Sequence, residues 1–187
     1  MLIEPWGFAN ALEREYGIVP ATTQAFFRGP FADCIVGRTA LEDIIAPYLE
    51  VWGWPHSVGD LIRFWLESEN QPRSDLLKAI AELRSSGAVC ALASNQEANR
   101  ARYIEQEMFP GCFDRFYFSC DLGSAKPDAA YFDAISSDLD VRAANIHFWD
   151  DTEGHVDGAT RCGWNAYHFT GTESLAVINT LQSSNTG

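Results

Sequence analysis

Three places along the chain put polar groups where chemistry can use them. Ser94 and Asn95 close the apolar run 88–93. They offer a hydroxyl and an amide at what reads as the carboxyl end of a strand, where the free amides of a following helix also point. The bland account of the pair is an ordinary helix N-cap. Lys126 stands just before Pro127, which reads as the opening of a helix. A cation there faces the positive end of the helix dipole, which costs a few tenths to about 1 kcal/mol unless an anion binds between them. The bland account is a solvated surface lysine, but the chain has only one other, Lys78. Asp150 and Asp151 follow the apolar run 146–149. Two adjacent carboxylates repel each other unless something neutralises them. Side chains alternate along a strand, so both reach one site only if the chain turns between them, as Thr152-Glu153-Gly154 allows. Such oxygen donors, completed by water, suit Mg²⁺. The bland account is a solvated turn capping the next helix.

The elements that must position these groups fall into two regions. Residues 1–70 read as helical throughout. One helix opens near Pro5 and closes at Gly17, Thr39 to Glu42 forms a capping box, and Ser57 to Asp60 starts a further helix. Aromatic residues are frequent here, and the spacing describes a small helical bundle. Residues 71–187 alternate between helical and strand patterns. Helices read at 74–86, 96–108, 127–136, 156–161 and 173–182, and strands at 88–93, 116–118, 146–149 and 165–169. That alternation predicts an α/β fold, a Rossmann-like parallel sheet with helices on both faces in three layers. In such sheets ligands bind beyond the carboxyl ends of the strands, where Ser94 and Asp150 lie.

Composition narrows the function classes. The chain has 187 residues, 47% of them apolar, enough for one compact core with a small appended domain. A formal net charge of −13 repels nucleic acid and anionic membrane, and would repel a phosphorylated substrate unless a cation offset it. A bound divalent ion would resolve that conflict. The five cysteines show no zinc spacing and read as reduced thiols of a cytoplasmic protein. No signal peptide or membrane-length apolar run is visible. None of the four histidines has metal spacing, and no Gly-rich phosphate loop or serine elbow appears.

Taken in order, these segments resemble the haloacid dehalogenase-like (HAD) hydrolase superfamily, over about residues 5–172. The resemblance rests on Leu92-Ala93-Ser94-Asn95, on Ser124 to Asp128 followed by Tyr131-Phe132, and on Phe148 to Thr152. It also rests on Val156 to Ala159 and Gly163 to Ala166, in that order. The helical region, with Gly37-Arg38 in its midst, resembles the cap that a subgroup of these proteins carries. The resemblance implies a helical cap domain over 1–70 and a Rossmann-like HAD core over 71–187. It implies a Mg²⁺-dependent phosphatase of a small phosphorylated metabolite, working through an aspartyl-phosphate. Ser94, Lys126 and Asp150 would then be catalytic, Ser94, Asn95 and Lys126 would hold the phosphate, and Asp150 and Asp151 would hold Mg²⁺.

One departure is large. The family's first motif, Asp-x-Asp, ends a central strand lying between the strands that end at Ser94 and Asp150. No Asp-x-Asp precedes Ser94 here. The expectation is that this strand is missing, leaving backbone groups unpaired or forcing the sheet to close up. A shortened N-terminus is one explanation, and an inactive HAD-fold binding or regulatory protein is the other. The first is favoured because the lysine and the aspartate pair read as having little structural use without chemistry. Haloacid dehalogenase activity is disfavoured by Asp150-Asp151, since that chemistry needs no metal; a sugar-phosphate mutase is a further possibility. A smaller departure is His155, where asparagine is more usual. Substrate identity and oligomeric state are not encoded in any recognisable pattern.

Overall fold

A computed structural model describes residues 7–171. Its first part is helical: α1 (Gly7–Tyr16), α2 (Pro20–Phe27), α3 (Phe31–Ile35), α4 (Leu41–Trp52) and α5 (Val58–Ser68). The capping box at α5 forms as its sequence predicts, with the Asp60 amide donating to Ser57 Oγ at 3.2 Å and the Ser57 amide to Asp60 Oδ2 at 3.3 Å. The box expected at Thr39 to Glu42 does not form. Ala40 is the N-cap of α4 and supplies no side-chain bond, while the Glu42 carboxylate accepts from Asn99 Nδ2 of the second region instead. These helices enclose an aromatic core in which Phe26, Ile45 and Leu61 are fully buried. Phe8 stacks on Trp65 with ring centroids 5.0 Å apart. The helix expected to open at Pro5 begins at Gly7, and residues 1–6 lie outside the described residues.

The second part alternates, in the order α6 (Ser74–Ser85), β1 (Ala91–Ser94), α7 (Ala98–Tyr103), β2 (Arg115–Phe118), α8 (Ser119–Leu122), α9 (Ala129–Leu139), β3 (His147–Asp150), α10 (Glu153–Arg161) and β4 (Asn165–His168). A π-helical turn, Ile104–Met108, continues α7. The helix expected over 173–182 lies outside the described residues. All strand pairs are parallel, but among the described residues they form two sheets of two strands, β1 with β2 and β3 with β4, rather than one sheet.

Both pairs nevertheless share the same two faces. Leu92, Phe116, Phe118 and Trp149 pack into one apolar cluster with Leu76 and Phe109. Ala93, Tyr117, Phe148 and Ala166 pack into another with Phe132 and Trp164. Successive strand residues point to opposite faces, so neighbouring residues of β1, β2 and β3 divide between the same two clusters. The pairs are therefore two halves of one layered core, with β1 and β3 on their inner edges. Among the described residues no helix is long and apolar enough to cross a membrane.

The helical part meets the α/β part chiefly along α7. Arg100 Nη1 lies 2.7 Å from Glu69 Oε2, and the Arg100 side chain is 7% exposed. The same nitrogen has no well-aligned hydrogen bond, so the contact is an ion pair of close distance and imperfect angle. Asn70 Nδ2 donates to the Tyr103 hydroxyl at 3.0 Å. On the other side Gly37, at φ +70°, approaches the Cys120 carbonyl so closely that a Cβ would stand 2.2 Å from its oxygen, a place only glycine fits. Removing one partner of a buried pair strands the other charge. Arg100→Ala is expected to cost about 3 kcal/mol in urea unfolding. Arg63→Ala, which breaks only the exposed pair with Asp60, should cost well under 1 kcal/mol.

Candidate active site

The carboxyl ends of β1 and β3 are tied together by one side chain. Lys126 Nζ donates to the Ala93 carbonyl at 3.0 Å and to Asp150 Oδ2 at 2.5 Å. Lysine and aspartate side chains are each 7% exposed. The ammonium also lies 5.4 Å from the centroid of the Phe148 ring. An ammonium carries three donors; two of them have these partners.

Local structure fixes where Lys126 stands. Asn95 brackets its main chain, with Nδ2 donating to the Lys126 carbonyl and Oδ1 accepting from the Lys126 amide, both at 2.9 Å. The Lys126-Pro127 peptide is cis, and α9 starts beyond it at Ala129 with Asp128 as N-cap. From the other side α10 presses on Pro127 through Gly158. A Cβ at that glycine would lie 2.7 Å from the Pro127 carbonyl oxygen and 2.9 Å from Phe132 Cε2. The side chain of Asn95 thus serves to position the lysine.

Ser94 and Asn95 do not cap α7. Glu97 does, accepting from the Asn99 and Arg100 amides at 2.9 and 2.7 Å. Burial pushes the Glu97 carboxyl up from its ordinary range, and those two amides hold it back. The Gln96 amide is taken by Ser119 Oγ, and Ser94 Oγ accepts from Gln96 Nε2 at 2.9 Å. The hydroxyl stays partly exposed at the end of β1, beside the Ala93 carbonyl that Lys126 holds.

Asp150 is saturated by its own chain. Oδ2 faces Lys126, while Oδ1 accepts from the Thr152 amide at 2.9 Å and lies 3.0 Å from His155 Nδ1. Burial alone would raise this carboxyl. The His155 contact, the Lys126 charge and hydrogen bond, and the Thr152 amide outweigh it and hold the group well below the usual carboxylate range. Asp151 turns outward and is exposed, its carbonyl 3.1 Å from His168 Nε2. The chain does turn after Asp150, which leaves one aspartate buried and the next exposed. Among the described residues no group of three metal-ligating side chains comes together. The described residues alone do not fit a Mg²⁺ ion.

The structure brings Lys126 and Asp150 into contact beside the end of β1 that carries Ser94. The expectation that the lysine and the aspartate have little structural use does not hold, since Lys126 pairs a buried carboxylate across the two half-sheets. Glu97 and Arg100 were missed because charged residues in a helix normally signal a solvated face. His155 stood out only as a departure from the family pattern. A cleft of about 570 Å³ lies between α1 and α5, lined by Asn10, Arg14, Phe64 and Glu67 among others. None of Ser94, Lys126 or Asp150 lines it, and it holds no arrangement of reactive groups.

The geometry agrees with what this chain is similar to. The profile of the haloacid dehalogenase-like hydrolases matches residues 38–163, and the chain belongs to that family. A search of curated proteins finds no match. Among solved structures, a HAD family enzyme of Bacteroides thetaiotaomicron in a magnesium complex superposes with a TM-score of 0.79 at 20% identity, over 95% of this chain and 92% of that one. The same enzyme with magnesium and inorganic phosphate gives 0.73 at 20% identity, over 89% and 88%. The L-2-haloacid dehalogenase of Xanthobacter autotrophicus gives 0.67 at 20% identity, over 94% and 77%. At these identities the likeness is one of fold.

Two expectations follow from the ion pair. Lys126→Ala should destabilise by about 3 kcal/mol, because Asp150 is left charged and buried, and Lys126→Met combined with Asp150→Leu should recover much of that loss in urea unfolding. The second concerns acid. A carboxyl depressed by folding contributes stability that is complete above its unfolded pKa, about 4, and is lost as pH falls toward the folded value. Melting temperature between pH 5 and pH 2 should therefore fall less steeply in Asp150→Asn than in the parent chain.

Proposed function

We propose for this chain the activity of a Mg²⁺-dependent phosphatase acting on a small phosphorylated metabolite in the cytoplasm, with nucleic acid and membranes as neither substrate nor partner. The observation that carries this reading is the buried Lys126 ammonium, placed at the carboxyl ends of β1 and β3 between the Ala93 carbonyl and Asp150. A phosphate monoester there would meet the ammonium and the Ser94 hydroxyl. In a chain of net charge −13, such a buried cation is what an anionic substrate needs.

This reading requires a nucleophilic carboxylate in addition to Ser94, Lys126 and Asp150. Such a carboxylate, beside Lys126, would attack phosphorus and release the alcohol, and water would then cleave the aspartyl-phosphate. Lys126 and Ser94 would offset the charge on the transferring oxygens. Mg²⁺ enters this reading only with a further carboxylate, with Asp150 as a ligand and Asp151 as support. The Mg²⁺ and phosphate bound by the Bacteroides thetaiotaomicron enzyme favour that pairing of ion and substrate class. The neighbouring L-2-haloacid dehalogenase is a weaker guide, because Asp150-Asp151 is an acidic pair that metal-free chemistry does not call for.

The second reading is an inactive HAD-fold binding protein. It is favoured by one observation: Asp150 is already satisfied by Lys126, Thr152 and His155. Expressing the chain from a start placed roughly 10–15 codons further upstream in the source DNA, about a strand and a turn, separates the two. Hydrolysis of a generic phosphomonoester should appear in the extended chain, and removal of Mg²⁺ by chelation should abolish it. Inactivity of both forms across a broad phosphate panel would establish the binding protein instead.

A further inference from the structure

What the end of β1 can offer an anion is set by how its polar groups are already used. The amides that open α7 are spent within the chain. Those of Asn99 and Arg100 donate to the Glu97 carboxylate, and that of Gln96 donates to Ser119 Oγ at 2.9 Å. Ser119 follows β2 directly and is fully buried. Its hydroxyl also donates to the Gln96 carbonyl at 3.3 Å, so one buried oxygen clamps both main-chain polar groups of Gln96. The Gln96 side chain then turns back by two residues, and its Nε2 donates to Ser94 Oγ at 2.9 Å. Asn95, between them, is committed to the main chain of Lys126. Ser94 and Gln96 are both only half-buried. A line of hydrogen bonds thus runs from the buried Ser119 through Gln96 to the hydroxyl that stands beside the Lys126 ammonium's carbonyl partner, Ala93.

We propose that Gln96 is a positioning residue, which holds the Ser94 hydroxyl as a hydrogen-bond donor to an anion beside Lys126. A serine hydroxyl has one hydrogen and accepts with its lone pairs. Because Gln96 Nε2 donates to the oxygen, the serine's hydrogen points away from Gln96, and a hydroxyl that accepts one bond donates the next more strongly. Gln96 acts through Ser94 and needs no contact of its own with the anion. The residue type matters. A glutamate at this place would accept the Ser94 hydrogen and reverse the bond. A leucine would leave the hydroxyl free to rotate, so that an anion would have to order it on binding. A hydroxyl held as a donor favours oxygens that only accept, as those of a fully ionised phosphate do. The identity of the anion as a phosphate rests on the phosphatase reading above; the orientation of Ser94 rests on the hydrogen bonds.

The test is calorimetric titration of the whole 187-residue chain with inorganic phosphate at about pH 8, where the dianion prevails, in a double-mutant cycle. Gln96→Leu should weaken phosphate binding about three- to tenfold, the effect of one hydrogen bond. It should change nothing further once Ser94 is alanine. Gln96→Glu should weaken binding more than Gln96→Leu, and should still do so after its effect in the Ser94→Ala chain, which carries the same added charge, is subtracted. A second readout needs no ligand. By nuclear magnetic resonance, one Gln96 Nε2 hydrogen should exchange with water more slowly than the other, and Ser94→Ala should abolish the difference. Unchanged affinity in Gln96→Leu, an equal loss with serine or alanine at position 94, or side-chain exchange indifferent to Ser94→Ala would overturn the proposal. A parent chain that binds no phosphate would remove the phosphatase reading, and the exchange of the Gln96 side chain would then decide the hold on Ser94 by itself. Phosphate binding with an equal loss in both backgrounds would do the reverse.

Discussion

The ion pair between Lys126 and Asp150 is the constraint on which the rest of the second region turns. It is the polar link between β1 and β3, which among the described residues share no hydrogen-bonded ladder. Everything that positions it is local and specific. Asn95 grips the lysine's main chain, α10 meets Pro127 through a glycine, and His155 with the Thr152 amide holds the far side of the carboxylate. A buried pair of this kind adds little net stability over an apolar contact of the same shape, but it penalises any arrangement in which one partner is stranded. Its effect is to fix geometry: it sets the spacing of the two half-sheets at the end where chemistry would occur.

The same pair bears on how two adjacent acidic residues could hold a metal. A divalent ion has to compete with an ammonium already 2.5 Å from one Asp150 oxygen. The other oxygen is held by an amide and an imidazole. Asp151, exposed and turned away, supplies no second ligand at the same point. A further carboxylate beside Lys126 would change that balance, since the ammonium could divide itself between two anions and free part of Asp150. Charge bookkeeping at this spot thus depends on a group the described residues do not contain, and both the family's phosphate chemistry and an inert binding role are consistent with the walls.

Much of this was written in the sequence, and the parts that were not have physical reasons. The four strands and most helices followed from period and punctuation, because apolar runs bounded by Gly and polar caps admit few alternatives. Ser94, Lys126 and Asp150 were visible because each is the wrong kind of residue for a bare surface or a bare strand end. Three things were not visible. The Thr39 to Glu42 pattern satisfies the capping-box rule, yet Glu42 finds Asn99, 57 residues away, and a local rule has no term for a distant partner. Glu97 and Arg100 look like solvated helix charges until the helical region covers them. The use of Asn95 as a bracket for Lys126 depends on a loop that returns 31 residues later, which no spacing announces.

The site and the continuity of the sheet are therefore one variable. Ser94 rides on one half-sheet and Asp150 on the other, and Lys126 reaches both only because they stand at one separation. If the halves closed upon each other, β1 and β3 would satisfy their inner amides and carbonyls, but Lys126 would be displaced from between their ends and Asp150 would lose its partner. If they spread further, the clusters that hold Leu92 with Trp149 and Ala93 with Phe148 would open to water. The observed arrangement sits between these costs, with apolar contacts preserved on both faces and the ion pair intact.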